Sequence, residues 1–288
     1  MARSRRAVWV PYLLVFPILA FLGVFVAYPM VQAFVLGSTD PKTGQFTLEH
    51  LRRMGADLYF VPAVRDTLLI TAIAIPIQVA LGLAMAMLVQ TRFVGHAVFL
   101  YLCAVPIGIS DLAAGLIWLS IFTERGYLNA LLSAAGWISQ PAPYLTYDQP
   151  AWLFAAILLT EVWRATAIVM LILLSGLQLI PKDYTETAQV FGAGPWQTLR
   201  HVTLPLLRAS LQTALIIRTI LAFEVFAPVM TLTGRLVPVL AGESYLWYSL
   251  YRNPNVASAY GALILLLSAA FTWSYLRLLR PRQWEMRG

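Results

Sequence analysis

Ile180-Pro181-Lys182-Asp183-Tyr184-Thr185-Glu186-Thr187-Ala188-Gln189-Val190-Phe191-Gly192, running on to Val202-Thr203-Leu204-Pro205, is a polar loop set between two long apolar segments. A connection that only reversed the chain would need a handful of residues, whereas this one has roughly twenty, with a helical pattern and its own punctuation. Pro181 suits a first helical turn, where its missing N–H would be unpaired anyway. Residues 182–191 then carry Tyr184, Ala188 and Phe191 at helical spacing, and Gly192, Gly194 and Pro195 break the run. Trp196, Leu199 and Val202 resume a short amphipathic stretch that ends at Pro205. The pattern predicts helix, glycine hinge, helix. Thr187 and Ala188 are small enough for a partner to approach closely, and Glu186 offers a carboxylate to an arginine on that partner. Two readings stand at this point: a segment gripped by something outside the membrane, or an interfacial helix lying on lipid headgroups.

The flanking segments decide the solvent. The 288 residues are 60% hydrophobic and 11% charged, against about 25% charged in a soluble domain. Lipid admits only helices and closed barrels, and apolar runs of about twenty continuous residues, without strand alternation, select helices. The predicted fold class is therefore an all-α membrane protein. Hydropathy gives six transmembrane helices, over 9–36, 64–89, 97–122, 152–179, 206–232 and 256–279, joined in a single membrane domain with the loop at 180–205. Arg3, Arg5 and Arg6 precede the first span as they would a secretory signal, but the apolar stretch is too long for one and lacks a cleavage site, so it reads as a retained helix.

Cytoplasmic flanks accumulate Lys and Arg. With both termini cytoplasmic, that side holds Arg3, Arg5, Arg6, Arg92, Lys182, Arg200, Arg208, Arg277, Arg280, Arg282 and Arg287. The cations of the other side, among them Lys42, Arg52 and Arg125, are nearly matched by acids. This orientation places the loop 180–205 in the cytoplasm. The net charge of +7 is then a topogenic and lipid-headgroup feature, and nucleic acid is the poorer reading of it. Cys103 stands alone within the third span, and His50, His96 and His201 lack ligand spacing, so no metal and no disulfide are expected. The two lysines, Lys42 and Lys182, each follow a proline, which leaves no phosphate-binding Gly-Lys-Ser/Thr loop. If nucleotide drives this chain, another chain must bind it.

Glu186-Thr187-Ala188, three residues, Gly192, nine residues, Val202, one residue and Leu204-Pro205 resembles the E-A-A-x3-G-x9-I-x-L-P loop of permease subunits of bacterial ABC importers. The spacing matches throughout. Thr187 replaces the first alanine, Val202 the isoleucine, and Phe191 stands where sugar importers often carry Asp. Glu161-Val162-Trp163-Arg164, Gly176-Leu177-Gln178 and Leu232-Thr233-Gly234 are similar to the carbohydrate-type permeases, and within them to the first permease of sugar or glycerol-3-phosphate importers. The resemblance implies a bacterial inner-membrane subunit with no catalytic residue of its own. It implies a second, different permease, an ABC ATPase dimer that binds ATP and Mg, and an extracytoplasmic solute-binding protein. Glu186, Thr187, Ala188, Phe191, Gly192, Leu204 and Pro205 would then form the ATPase-coupling element. The transported solute would be a mono-, di- or oligosaccharide, with glycerol-3-phosphate or another small polar solute as the alternative. A stand-alone secondary transporter is the remaining rival, disfavoured because the spans show neither an internal repeat nor a dense carboxylate cluster. An intramembrane enzyme lacks its nucleophile and base, since no span contains histidine, and a channel lacks its filter.

Charged groups at membrane depth are expensive and mark function by default. Asp111, Glu161, Arg164 and Glu224 are the candidates for a solute pathway, with Trp163, Phe223 and Phe226 as aromatic neighbours suited to sugar rings. Glu161 and Arg164 lie three apart and so are also placed to pair with each other. Arg218 is placed to snorkel or to pair.

Overall fold

The computed structural model describes residues 6–279, with side chains from Tyr12 onward, and every regular element among them is helical; one isolated backbone bridge joins Thr39 to Phe46. The first helix, α1 (Arg6–Leu22), passes through a π turn at Gly23–Ala27 into α2 (Tyr28–Ser38), and α3 (Glu49–Gly55) follows. Next come α4 (Phe60–Gln90), α5 (His96–Ala104), a 3-10 turn at Val105–Gly108, α6 (Asp111–Phe122) and α7 (Tyr127–Ala134). Beyond α8 (Pro150–Gln178) the polar loop holds α9 (Lys182–Val190), α10 (Pro195–Thr198), a π turn at Leu199–Thr203 and α11 (Leu204–Leu206). The last described elements are α12 (Arg208–Phe223), α13 (Ala227–Thr233), α14 (Leu240–Ser249) and α15 (Pro254–Leu278). Arg3, Arg5, Arg280, Arg282 and Arg287, on which the expected orientation partly rests, lie outside the described residues, as does the side chain of Arg6.

Four described helices are long and apolar enough to cross a membrane, namely Tyr12–Ser38, α4, α8 and α15, and the number rises to six if each of two bent pairs counts as one span. The third span is thus not the single helix that hydropathy predicts, and the second bent pair, Pro195–Leu206 with Arg208–Phe223 at 72°, begins in the polar loop ahead of the predicted fifth span. The axis turns by 104° between His96–Gly108 and Asp111–Ala134. Pro106 supplies no N–H to continue the α ladder. Ser110 starts a new helix by accepting the Ala113 N–H on its side chain at 3.2 Å. In the fifth span α12 stops at Phe223, and Pro228 sits in the first turn of the separate α13. Glu224, expected near the middle of a helix, instead caps the C-terminal end of α12.

The chain forms two compact units. One consists of the described part of Met1–Phe60 together with Glu243–Leu263. In it Asn255 Nδ2 donates to the Leu36 carbonyl at 2.7 Å, and the Asp57 carboxylate accepts from Trp247 Nε1 at 2.7 Å and from the Tyr260 hydroxyl at 3.1 Å. The other consists of Val61–Gly242 and the described part of Ile264–Gly288. It is organised around α8, whose ends enter two different apolar clusters. Leu153, Ala156 and Ile157 pack with Ile70, Phe122, Val225 and Val229, whereas Val169, Met170, Leu173 and Leu177 pack with Ala86, Leu207 and Ala214.

Close approach of the helices depends on small residues, as expected where lipid supplies no hydrophobic drive to associate. A Cβ on Gly82 would lie 2.8 Å from Val169 Cγ1 and 3.0 Å from the Met170 backbone nitrogen, so α4 sits on α8 with no room for a side chain. The backbone nitrogen cannot yield as a side-chain tip can. Gly82→Val should therefore cost about 1–3 kcal/mol and lower the Tm of the detergent-solubilised protein; an unchanged Tm would contradict this packing.

Candidate functional site

The polar loop is a defined object. Residues 182–190 are helical, one residue short of the predicted end, and the helix closes in a Schellman motif. The Ala193 N–H donates to the Ala188 carbonyl and the Gly192 N–H to the Gln189 carbonyl, both at 2.9 Å. This closure puts Gly192 at φ +81°, in the left-handed region that a Cβ disfavours. Gly194 then starts α10, its N–H donating to Gln197 Oε1 at 2.9 Å. No residue of α9 is buried in this chain. Glu186 and Thr187 are exposed, Ala188 half-buried, and Leu204 and Pro205 half-buried at α11. Val190 and Phe191 are each 85% exposed and Trp196 69%, so three large apolar side chains flank the hinge uncovered. A loop that only had to stay in water would not present them.

The second constellation lies on α8 between its two apolar ends. Arg164 places Nη1 2.7 Å from Asp111 Oδ1 at the head of α6, and Nη2 3.8 Å from Glu161 Oε1 one turn back on its own helix. Glu161 is 2% exposed, and its Oε2 meets Nη2 of the fully buried Arg218 on α12 at 3.3 Å. Arg218 Nε donates to Gln78 Oε1 on α4 at 2.8 Å, and Gln78 Nε2 donates to the Glu161 carbonyl at 3.0 Å. Four helices are thereby tied through two cations and two anions, a set with no net charge. Such neutrality is what burial demands, since an unpaired charge in a low-dielectric interior costs several kcal/mol.

Asp111, Glu161 and Arg164 are thus brought together, and the suggested pairing of Glu161 with Arg164 exists as the longest of the three ion contacts. Trp163 is half-buried, edge-on to Trp118 with centroids 6.0 Å apart. Phe223 is fully buried against Phe271, while Glu224 beside it is exposed and makes no ion pair with the α8 network among the described residues. Phe226 is half-buried. Sequence reading missed Gln78. A lone amide within an otherwise apolar run of α4 was its signal, because polar side chains in membrane helices commonly bond across to a neighbour.

Residues 64–284 match the family of binding-protein-dependent transport system inner membrane components. The chain is 32% identical over 241 residues to a trehalose transport system permease of Mycobacterium tuberculosis, covering 81% of this chain and 75% of that one. It is 31% identical over 285 residues to a sulfoquinovosyl glycerol transport system permease of Agrobacterium fabrum, covering 94% and 90%. A crystal structure of a bacterial ABC transporter that imports the acidic polysaccharide alginate superposes with a TM-score of 0.79 at 18% identity, over 96% of this chain and 97% of that one, which shows the same fold. With a family match over most of its length and an all-helical membrane fold to accompany it, the chain belongs to the binding-protein-dependent transport system inner membrane components, as a multi-pass membrane subunit.

Proposed function

We propose that this chain is one of two different permease subunits of an ATP-driven importer, and that its solute is a sugar. In this reading an ABC ATPase dimer carrying ATP and Mg binds the cytoplasmic loop 180–205, and an extracytoplasmic solute-binding protein delivers the solute. The observation that carries it is the exposed α9–hinge–α10 platform, a helix fixed at its C-terminal end with Val190, Phe191 and Trp196 uncovered. Closure of the ATPase dimer on ATP moves that platform, and the platform moves the core helices from inward-facing to outward-facing. Glu186 is the polar contact to the ATPase, with Thr187 and Ala188 allowing its close approach.

The relatives support a saccharide. Beside the trehalose and sulfoquinovosyl glycerol permeases stands a trehalose/maltose transport system permease of Thermococcus litoralis, 28% identical over 282 residues. A phosphate ester would call for cations free to meet it, but Arg164 and Arg218, the two arginines of the α8 network, already face carboxylates. Glu224 is the residue of this chain best placed on the solute route. It is exposed at a break in the helical backbone, and irregular backbone at membrane depth is tolerated only against protein or a water-filled cavity. A carboxylate there, close in sequence to Phe226, offers sugar hydroxyls an acceptor.

Two outcomes check this reading in proteoliposomes with radiolabelled trehalose as the probe. Gly192→Val forces a β-branched residue into the left-handed region, at a cost of roughly 1–2 kcal/mol, and so deforms the hinge; uptake should fall roughly tenfold while ATP hydrolysis persists, and normal coupling would remove the hinge from the mechanism. Glu224→Ala should lower uptake by roughly tenfold with the complex still assembled, whereas uptake equal to wild type would take Glu224 off the pathway.

A further inference from the structure

The α8 network holds one more ion contact than pairing two cations with two anions needs. Three ion contacts are shared among four groups, and they are unequal. Arg164–Asp111 is a short bond at 2.7 Å and Arg218–Glu161 is 3.3 Å, but Arg164–Glu161, at 3.8 Å, is too long for a hydrogen bond. Glu161 Oε1 is buried without a hydrogen-bond partner, and so are Arg164 Nε and Arg218 Nη1. An acceptor and a donor on neighbouring side chains are therefore both unused in this conformation.

The contacts also differ in what fixes them. Glu161 and Arg164 are three residues apart on one continuous helix, so their backbone separation stays constant however the helices move, and a change of rotamer alone brings them to bonding distance. Asp111 is the first residue of α6, directly after the 104° turn, and its distance from Arg164 depends on where α6 sits. It is also the most accessible of the four groups, its side chain 48% exposed. Should α6 withdraw, a guanidinium left without a carboxylate would be strongly destabilising. Glu161 is the available replacement. It is held ready by Gln78, which fixes both the Glu161 carbonyl and Arg218 Nε. Arg218 Nη2 then occupies Oε2 and leaves Oε1 for Arg164.

We propose that Arg164 is an exchange residue, passing from Asp111 on α6 to Glu161 on its own helix when α6 moves, and that Gln78 and Arg218 are positioning residues that hold Glu161 to receive it. The proposal rests on the importer reading. A transporter core has to shift helices past one another, and this arrangement lets α6 move without stranding a buried charge. It makes opposed demands on the two acids: Asp111 stabilises the conformation seen here, and Glu161 stabilises the one in which α6 has left.

The test uses the complete complex, purified with its ATPase into lipid nanodiscs, and measures ATP hydrolysis with neither solute nor binding protein added. D111N weakens the conformation seen here, and E161D weakens the other one more, because there Glu161 has to hold Arg164 as well as Arg218, so their hydrolysis rates should depart from wild type in opposite directions, each by roughly fivefold. Q78L leaves all four charges in place but removes the bonds from Gln78 that position Arg218 Nε and the Glu161 carbonyl; it should move the rate in the same direction as E161D, and it replaces E161D should that variant not assemble. A purely static bridge would be damaged alike by either change. D111N and its opposing variant moving the rate the same way, or neither moving it, overturns the exchange. A wild-type preparation with no associated ATPase counts first against the importer reading and takes the exchange down with it, so the two failures are told apart by the wild-type sample.

Discussion

Two guanidinium groups and two carboxylates, Glu161 and Arg164 from the middle of α8 with Asp111 of α6 and Arg218 of α12, constrain everything packed around them. Each charge on its own would be prohibitively costly at that depth, and together they are tolerated because every cation faces an anion and the sum is zero. The arrangement also fixes which helices must be neighbours. Glu161 draws in α12 through Arg218, Arg218 draws in α4 through Gln78, and Arg164 reaches to the head of α6. The apolar clusters at the two ends of α8 add packing energy without direction, and close contacts such as that of Gly82 on α8 set how near the helices come. The polar middle is what gives the bundle its register.

A second constraint comes from lipid. Unpaired backbone groups cannot face hydrocarbon, so the turn before Ser110 and the gap between α12 and α13 have to meet protein or water in the membrane. Both breaks adjoin acidic side chains, Asp111 at one and Glu224 at the other. Irregular backbone and a carboxylate thus occur together, which fits the proposed passage of a polar solute and a helix end that is free to move.

Much of this was legible in the sequence, for reasons that differ by element. The membrane class and the positions of the apolar segments follow from composition and run length, which need no three-dimensional information. The helix at 182–190 and its glycine stop are encoded locally, by Pro181 before the first turn and by Gly192 at a position with positive φ just past the last. The helix breaks were not found, because hydropathy sums over a window and stays high across Pro106 and Pro228 alike; the prolines themselves carried the signal. The network was only partly visible. Glu161 and Arg164 lie within one turn of each other and could be paired on paper, but Arg218 meets Gln78 across 140 residues of chain, and its depth along α12 said nothing about the way it faces. Glu186 and Gly192 could be given roles only through the resemblance of the loop to that of importer permeases, since the partner proposed for them is another chain.

In the proposed importer this subunit works through other proteins: an ATPase at the loop around Gly192 and a second permease completing the pathway. The measurement that tests it most directly is to extract the tagged chain from its native membrane in mild detergent and identify by mass spectrometry what remains bound. Recovery of an ABC ATPase together with a second, different permease is the predicted result, with the ATPase lost on Glu186→Ala. A chain that purifies alone or only with copies of itself, unaffected by that substitution, would contradict the account and favour a self-contained carrier.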